Sequence, residues 1–356
     1  MKILIDPAYL NPEPFHLLPR FLVLPVDRLV PSFWWGSRFW TGPFPWWALG
    51  PNGFDGLDLG FSYTYLFRPD LTIREKVLDR YRALRWPIRA FHGTFAGGPG
   101  FFRQTALDLS VDGERTRRGL INHIRVAAEL GGRGTVLVLH PGLVRNGKRE
   151  AMETVVANLE GCLPEAEARQ VVLALENMPR SAGPTRYLGS DYRELGQVLS
   201  RLPSACLKIC LDLGHANTYG EVHARSNGRR DVEGYLRRFG YCREMIRALG
   251  KEIVYAHVHY NRSHVVPQKA LRGNPDEHMP LSHVPEPFWA FFRETLHLLF
   301  RRTSVCRTGY LNLELAPRRL FGHYRVMPMG GGLREQVSSV RRLREVLRAC
   351  DPASEG

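Results

Sequence analysis

Short apolar runs alternate with amphipathic stretches along most of the chain. The runs Lys2–Asp6, Gly56–Phe61, Ile88–His92, Thr135–His140, Val171–Glu176, Lys208–Asp212, Ile253–His257 and Tyr310–Leu315 are rich in Val, Ile and Leu and do not alternate strictly with polar residues. That pattern is expected of parallel strands covered on both faces. Between them, apolar residues recur at helical spacing in Leu71–Leu84, Asp112–Leu130, Lys148–Cys162, Asp191–Leu202, Val232–Leu249, Pro287–Phe300 and Leu333–Arg348. Asp70 and Ser190 stand where N-caps are expected, and Gly131-Gly132 and Gly250 stand where helices should stop. Eight strands alternating with helices predict an α/β chain folded as a (β/α)8 TIM barrel, one domain over residues 1–350. A doubly wound open sheet is the alternative, but it leaves the polar residues at so many strand ends unexplained. The tail 351–356 is expected to fray.

One segment departs from the alternation. Residues 31–53 read PSFWWGSRFWTGPFPWWALGPNG and carry five of the 7 tryptophans. They form an insertion after the first strand, where a helix is expected. Packing onto the barrel or into a dimer interface is the ordinary use of such aromatics. The sharper reading is a loop over the barrel mouth, with Trp46 and Trp47 stacking on a base or a sugar ring.

The chemistry lies where the apolar runs end. FHG supplies His92, LVLHPG supplies His140, LALEN supplies Glu176, and CLDLGH supplies Asp212 and His215. YAHVHYN supplies His257, NPDEHMPL supplies Asp276 and His278, and LNLELAP supplies Glu314. In a barrel, the C-terminal ends of the strands line the mouth where catalysis occurs. Singly, each residue has a plain structural reading. A lone strand histidine is usually a satisfied core residue, and Asp212-x-x-His215 reads as a helix cap plus a surface histidine. Together they are costly, because buried charges of this kind repel one another unless something compensates them. They predict a polynuclear metal centre. Imidazole with carboxylate and no thiolate suits Zn²⁺, Mn²⁺ or Fe²⁺ and argues against a structural zinc cluster. His259 shares a strand face with His257 and is held as a reserve ligand or substrate contact. Asn177, beside Glu176, and Arg145, Arg180 and Arg262 on mouth-side loops are further candidate substrate contacts.

Composition narrows the picture only a little. The chain has 356 residues, 44% hydrophobic and 24% charged, which is ordinary for a globular protein. Its net charge of +14, from 49 basic and 35 acidic side chains, favours encounters with polyanions; a solvated, arginine-rich surface accounts for it as simply. No basic stretch followed by an apolar one opens the chain, no run reaches membrane-spanning length, and 6 cysteines are scattered without a paired framework. The expectation is a cytoplasmic protein with reduced thiols and no membrane contact.

At GFDGLDLG (53–60), HPG (140–142), EN (176–177), DLGH (212–215), HVH (257–259) and DEHMPL (276–281), the chain resembles the xylose isomerase-like barrel superfamily. That group joins sugar isomerases and epimerases with endonuclease IV, the abasic-site repair enzyme. The resemblance implies that Glu176, Asp212, His257 and Glu314 hold the divalent ion common to the superfamily. In the isomerases, Glu176 and Glu314 would flank the substrate as catalytic acid and base. Similarity to endonuclease IV implies more ions. His92, His140 and Glu176 would hold one, Glu176 would bridge to a second held by Asp212, His257 and Glu314, and His215, Asp276 and His278 would hold a third. Two or three zinc ions are implied, with Mn, Fe or Mg accepted by the same donors. A polynuclear site suits phosphodiester cleavage, since such ions activate water and stabilise a leaving alkoxide. The implied activity is a metal-dependent hydrolase acting on a phosphodiester or sugar-phosphate, with DNA among the candidate partners. The alternative is a sugar or sugar-phosphate isomerase or epimerase with one metal. A non-catalytic barrel that binds sugar or nucleic acid would need no such ligand set. The chain departs from the endonuclease pattern in its early loop, where the tryptophan segment stands, at Tyr260-Asn261, and in SHVPEP after DEHMPL. Oligomeric state is left open; dimers and tetramers are common in the superfamily.

Overall fold

A computed structural model describes residues 2–5, 55–63, 66–84, 88–95, 105–179, 186–218, 232–261, 278–284, 286–305, 310–315, 319–320, 323–324 and 333–349. The tryptophan segment with Trp46 and Trp47, and the predicted site residues Asp276, Arg180 and Arg262, lie outside the described residues.

The barrel strands are β1 (Lys2–Ile5), β2 (Gly56–Gly60), β3 (Ile88–His92), β4 (Val136–Leu139), β5 (Val172–Glu176), β6 (Leu207–Asp212), β7 (Ile253–Val258) and β8 (Tyr310–Leu313). Each lies within two residues of a predicted run. All pair in parallel with their sequence neighbours, and β1 pairs with both β2 and β8, so the sheet closes into a barrel. Closure rules out the open sheet. The helices are α1 (Glu75–Leu84), α2 (Glu114–Gly131), α3 (Lys148–Glu160), α4 (Leu163–Arg169), α5 (Tyr192–Arg201), α6 (Leu213–Thr218), α7 (Val232–Leu249), α8 (Glu286–Arg302) and α9 (Leu333–Ala349). Two of them, α4 and α6, are too short for periodicity to reveal. Among the described residues no helix is long and apolar enough to cross a membrane.

The barrel explains why the strands read as apolar throughout. Leu57, Phe91, Leu137, Leu173, Leu211 and Leu313 join the core between sheet and helices. Ala90, Val136, Val138, Ala174, Cys210 and Tyr255 form a separate cluster inside the barrel. Successive side chains on a strand point to opposite faces. The inward positions just above Ala90, Val138, Ala174, Cys210 and Tyr255 are therefore His92, His140, Glu176, Asp212 and His257. The strand pattern alone brings these five polar residues to the mouth.

Two expected caps fall elsewhere. Asp70 does not cap α1. Its Oδ1 accepts hydrogen bonds from Thr72 N at 3.1 Å and Thr72 Oγ1 at 2.7 Å, closing a turn in which Leu71 has φ 65. That turn drives Leu71 into the core against α2, where a Cβ on Gly119 would come within 2.3 Å of Leu71 Cδ1. Asp191, not Ser190, caps α5, accepting from Arg193 N at 3.0 Å, while Ser190 donates to Tyr187 O at 2.8 Å. Asp191 has the extended backbone of an N-cap (φ −108, ψ 124) and an oxygen within reach of the second helical N–H, while the Ser190 hydroxyl is already engaged.

His123 on α2 ties the helical layer to the segment after β3. It is buried, stacks on Phe67 with ring centroids 4.1 Å apart, contacts Gly119 O through Nδ1 at 2.7 Å, and accepts from Thr94 N at 3.3 Å. Burial pushes its pKa down to about 4 from 6.5. A ring whose folded pKa is depressed contributes its full stability above the unfolded pKa, and loses it as pH falls through the folded value. The loss runs from pH ~6.5 to ~4 and amounts to roughly 3 kcal/mol. A His123→Leu variant should therefore show a flatter dependence of unfolding free energy on pH over that window, by about one proton. Identical slopes in denaturant titrations of both proteins would contradict this.

Candidate metal centre

Eight of the nine predicted ligands lie among the described residues, and together with His259 they make three groups of converging donors. These are His92, His140 and Glu176; then Glu176, Asp212, His257 and Glu314; then His215, His259 and His278. Within each group the candidate ligand atoms lie within 4.8 Å of one another. Glu176 belongs to two of the groups.

The end of β5 holds the centre of the site. Glu176 Oε2 is 3.1 Å from both His92 Nε2 and His140 Nε2. Its other oxygen, Oε1, is 3.1 Å from His257 Nδ1 and 3.4 Å from His215 Nδ1. His257 Nδ1 is also 2.9 Å from Glu314 Oε2 and 3.7 Å from Asp212 Oδ2. One imidazole nitrogen thus faces three carboxylates.

Local sequence explains the placement of the other donors. Asp212 ends β6, and its Oδ1 accepts from His215 N at 2.6 Å, so the DLGH segment turns at once into α6. Asp212 is the cap that the motif suggests, but His215 is buried beside Glu176 and not on the surface. Asn177 clamps the segment in place: its Oδ1 accepts from Asp212 N at 2.7 Å and its Nδ2 donates to Asp212 O at 2.9 Å. Asn177, expected as a substrate contact, has both ends of its amide engaged in this clamp. His259 Nε2 lies 3.0 Å from the Asp212 carboxylate, and its ring stacks on His278 at 4.1 Å. Gly214 makes room for that ring; a Cβ there would sit 2.0 Å from His259 Cε1.

The chain returns to the mouth at His278, which has φ 48, a costly conformation for a side-chain-bearing residue. Reciprocal bonds hold it there. Tyr260 N donates to Met279 O at 3.0 Å and Met279 N to Tyr260 O at 2.7 Å, while His278 N donates to Asn261 Oδ1 at 3.1 Å. Asn261 Nδ2 also donates to Gly214 O at 3.0 Å, tying this return to the DLGH segment. Arg145, the one predicted arginine contact that is described, is bound to Asp108 and Ser110 and belongs to none of the three groups.

The electrostatics fit a cation. Burial alone would push the His92 ring down, but the Glu176 carboxylate overrides it and holds His92 at about 9. His257 is likewise held well above its ordinary value, against burial, by Cys210, Glu314 and Glu176. His140 stays low because burial outweighs Glu176 there. The carboxylates answer in kind. Glu176 is held well below the usual range, against burial, by His257, His140 and His92, and Glu314 at about 2, against burial, by His257 and His278. A buried site this negative, lined by converging imidazole and carboxylate lone pairs, suits divalent cations.

Beneath the mouth lies a residue the strand-end search missed. Asp58, in the middle of β2, is buried and accepts a 2.7 Å hydrogen bond from the Tyr255 hydroxyl on β7. Burial, then Asp58, pushes the Tyr255 hydroxyl well above its ordinary range, so it stays a donor. The available signal was the same one used at the mouth: a charged residue inside an apolar run, GLDLG.

The closed barrel and the nine candidate donors at its mouth define a class: TIM barrels with clustered histidines and carboxylates at the C-terminal ends of their strands. The chain matches the xylose isomerase-like TIM barrel family over residues 51–350 and belongs to that family. It is 30% identical over 141 residues to a probable endonuclease 4 from Aquifex aeolicus, covering 39% of this chain and 44% of that protein. It is 28% identical over 174 residues to an uncharacterized protein from Methanocaldococcus jannaschii, covering 47% and 49%. The chain thus spans about half the length of the curated relatives it matches. Among solved structures it shares its fold with a D-tagatose 3-epimerase-like protein, at 21% identity and TM-score 0.53 over 83% of this chain and 90% of that one. An AP endonuclease of family 2 from Brucella melitensis shares it too, at 15% identity and TM-score 0.52 over 89% and 94%.

The packing of Gly214 against His259 yields a direct test. Gly214→Ala must displace the His259 ring, at a cost of about 1–3 kcal/mol. The expected outcome is a lower Tm and the loss of ions bound by the His215–His259–His278 group, with the other two groups still loaded. Unchanged Tm and unchanged metal content would show that the third group is not built as described.

Proposed function

We propose that the protein is a metal-dependent phosphoesterase of the endonuclease IV type, acting on a phosphodiester or sugar-phosphate at a centre of two or three divalent ions. The observation that carries this reading is the sharing of Glu176 between two donor groups, with a third group of three imidazoles beside them. Divalent ions held there would lower the pKa of water and polarise a phosphoryl oxygen. The chain's own residues supply the frame. Glu176 spans two groups with its two oxygens. His92 and His215 are oriented by backbone carbonyls, Nδ1 of His92 by Gly93 O at 2.9 Å and Nδ1 of His215 by Asn177 O at 2.8 Å, which turns Nε2 to the ligand side. Glu314 is the most exposed carboxylate of the set, at 13%, and stands nearest an incoming substrate as the group to accept or return a proton. The net charge of +14 favours a phosphate-bearing substrate. Zinc is the first candidate metal, with Mn, Fe or Mg accepted by the same donors. DNA is one candidate substrate.

One observation favours a second reading. Glu176 and Glu314 both approach His257 Nδ1, at 3.1 and 2.9 Å, so two carboxylates flank a single-ion group that would suffice for a sugar epimerase. There the pair would remove and return a proton on opposite sides of the substrate.

Activity separates the two. The purified protein is assayed on an abasic-site oligonucleotide, on a simple phosphodiester and on ketoses, before and after His278→Ala, with metal counted by elemental analysis. The phosphoesterase reading expects two or three ions per chain, phosphodiester cleavage lost on chelation, and a fall of at least about a hundredfold in His278→Ala. Ketose epimerisation with one ion per chain, undiminished by His278→Ala, would contradict it.

A further inference from the structure

Asp58 is a buried carboxyl group whose purpose the fold alone does not explain. It pairs in register with Ala90 inside the barrel, well below the solvent-facing mouth. Its Oδ2 accepts from the Tyr255 hydroxyl at 2.7 Å, and its Oδ1 has no hydrogen-bond partner among the described residues. A buried carboxylate held by one neutral hydroxyl pays a desolvation cost that an amide of the same shape would avoid. Its ionic contact among the described residues is His257 Nε2, at 3.7 Å.

His257 differs from three of the other five histidines of the centre. In His92, His215 and His278 the nitrogen turned to a backbone carbonyl is Nδ1, against Gly93 O, Asn177 O and Glu314 O at 2.9, 2.8 and 3.3 Å. His257 is reversed. Its Nδ1 faces Glu176, Glu314 and Asp212, and the nitrogen left over is Nε2, which has no hydrogen-bond partner among the described residues. Histidines that bind metal almost always give the proton of the second nitrogen to a carbonyl, a carboxylate or water. The carboxylate that faces His257 Nε2 is Asp58, at 3.7 Å, while the Cys210 thiol also lies against the ring.

We propose that Asp58 is a positioning residue of the metal centre: it accepts the Nε2 proton of His257, which leaves Nδ1 unprotonated for the ion, and is itself steadied across the barrel by Tyr255. This rests on the reading of Glu176, Asp212, His257 and Glu314 as a metal group. At 3.7 Å the pair is an ionic contact and not yet a hydrogen bond. The other nitrogen of the ring, Nδ1, lies closer to its carboxylates, 2.9 Å from Glu314 and 3.1 Å from Glu176. A cation that neutralises those oxygens leaves Asp58 as the remaining anionic partner of the ring. The proposal also accounts for the tyrosine. A hydroxyl fixed on Oδ2 stops the carboxylate from rotating away from β7, and Tyr255 sits two residues before His257 on the same inward face.

The test compares wild type with Asp58→Asn, in full-length protein. Three quantities are measured: the Tm of the metal-free form, Zn²⁺ affinity by competition with a chromophoric chelator, and the histidine tautomers of the zinc-loaded form by ¹H–¹⁵N NMR. The expected result is Zn²⁺ affinity about 10–100-fold weaker in a variant that still folds, with the Tm of the metal-free form as the check on folding. The His257 Nε2 proton should resonate downfield in zinc-loaded wild type and move upfield in the variant. Wild-type affinity in the variant, with or without a lower Tm, overturns the role of Asp58 alone. A wild-type protein that binds no zinc overturns this role and the metal reading together. Should Asp58→Asn fail to fold, the wild-type spectrum decides: a His257 protonated on Nδ1 and not on Nε2 in the zinc-loaded protein overturns the proposal.

Discussion

Three carboxylates face a single imidazole nitrogen at the mouth of this barrel, with Glu314, Glu176 and Asp212 at 2.9, 3.1 and 3.7 Å from His257 Nδ1. Held in a buried site, they would repel one another strongly without a compensating positive charge. Histidine protons answer that need in part: the carboxylates hold His92 and His257 above their ordinary pKa, and the histidines hold Glu176 and Glu314 below theirs. Metal ions would supply it more fully, displacing those protons as they bind. Much of the mouth is organised by this one requirement. Asn177 clamps Asp212, Gly214 yields space to His259, and Asn261 holds His278 in a costly backbone conformation.

The barrel itself is what makes such crowding affordable. Its inner face below the mouth is small and apolar at Ala90, Val138 and Ala174, so the strands pack closely and their ends cannot splay. The alternation of side chains then delivers a donor from each of β3 to β7 to the same space. Asp58 and Tyr255 form a polar link through that inner face, joining β2 to β7 directly beneath the ligands. A rigid frame of this kind keeps donors within the tolerance a polynuclear centre demands.

Much of this was readable from residue order. The strands showed themselves because both faces are buried, and most of the candidate ligands because they stand at or just past the end of an apolar run. The exceptions have physical causes. Asp58 was missed because it lies in the middle of β2 and not at its tip. His259 could be placed on the right face of β7, but no spacing rule shows that the chain returns at His278 to stack on it. The cap of α5 was misplaced by one residue, from Asp191 to Ser190, because two adjacent side chains offer an oxygen and only the backbone direction chooses between them. Asp70 was misread for a similar reason, its oxygen closing a turn on Thr72 in place of a helix end. Short α6 escaped notice since six residues are too few to show a period, although its His215 and the preceding Asp212 did not.

The central claim is that Glu176 joins two donor groups into one polynuclear centre. Anomalous diffraction at the zinc edge, from crystals grown with Zn²⁺, tests it most directly. The account predicts separate peaks on either side of the Glu176 carboxylate, one beside His92 and His140 and one beside Asp212, His257 and Glu314. A lone peak in the second position with none beside His92 and His140, or no peak at the mouth at all, would contradict it.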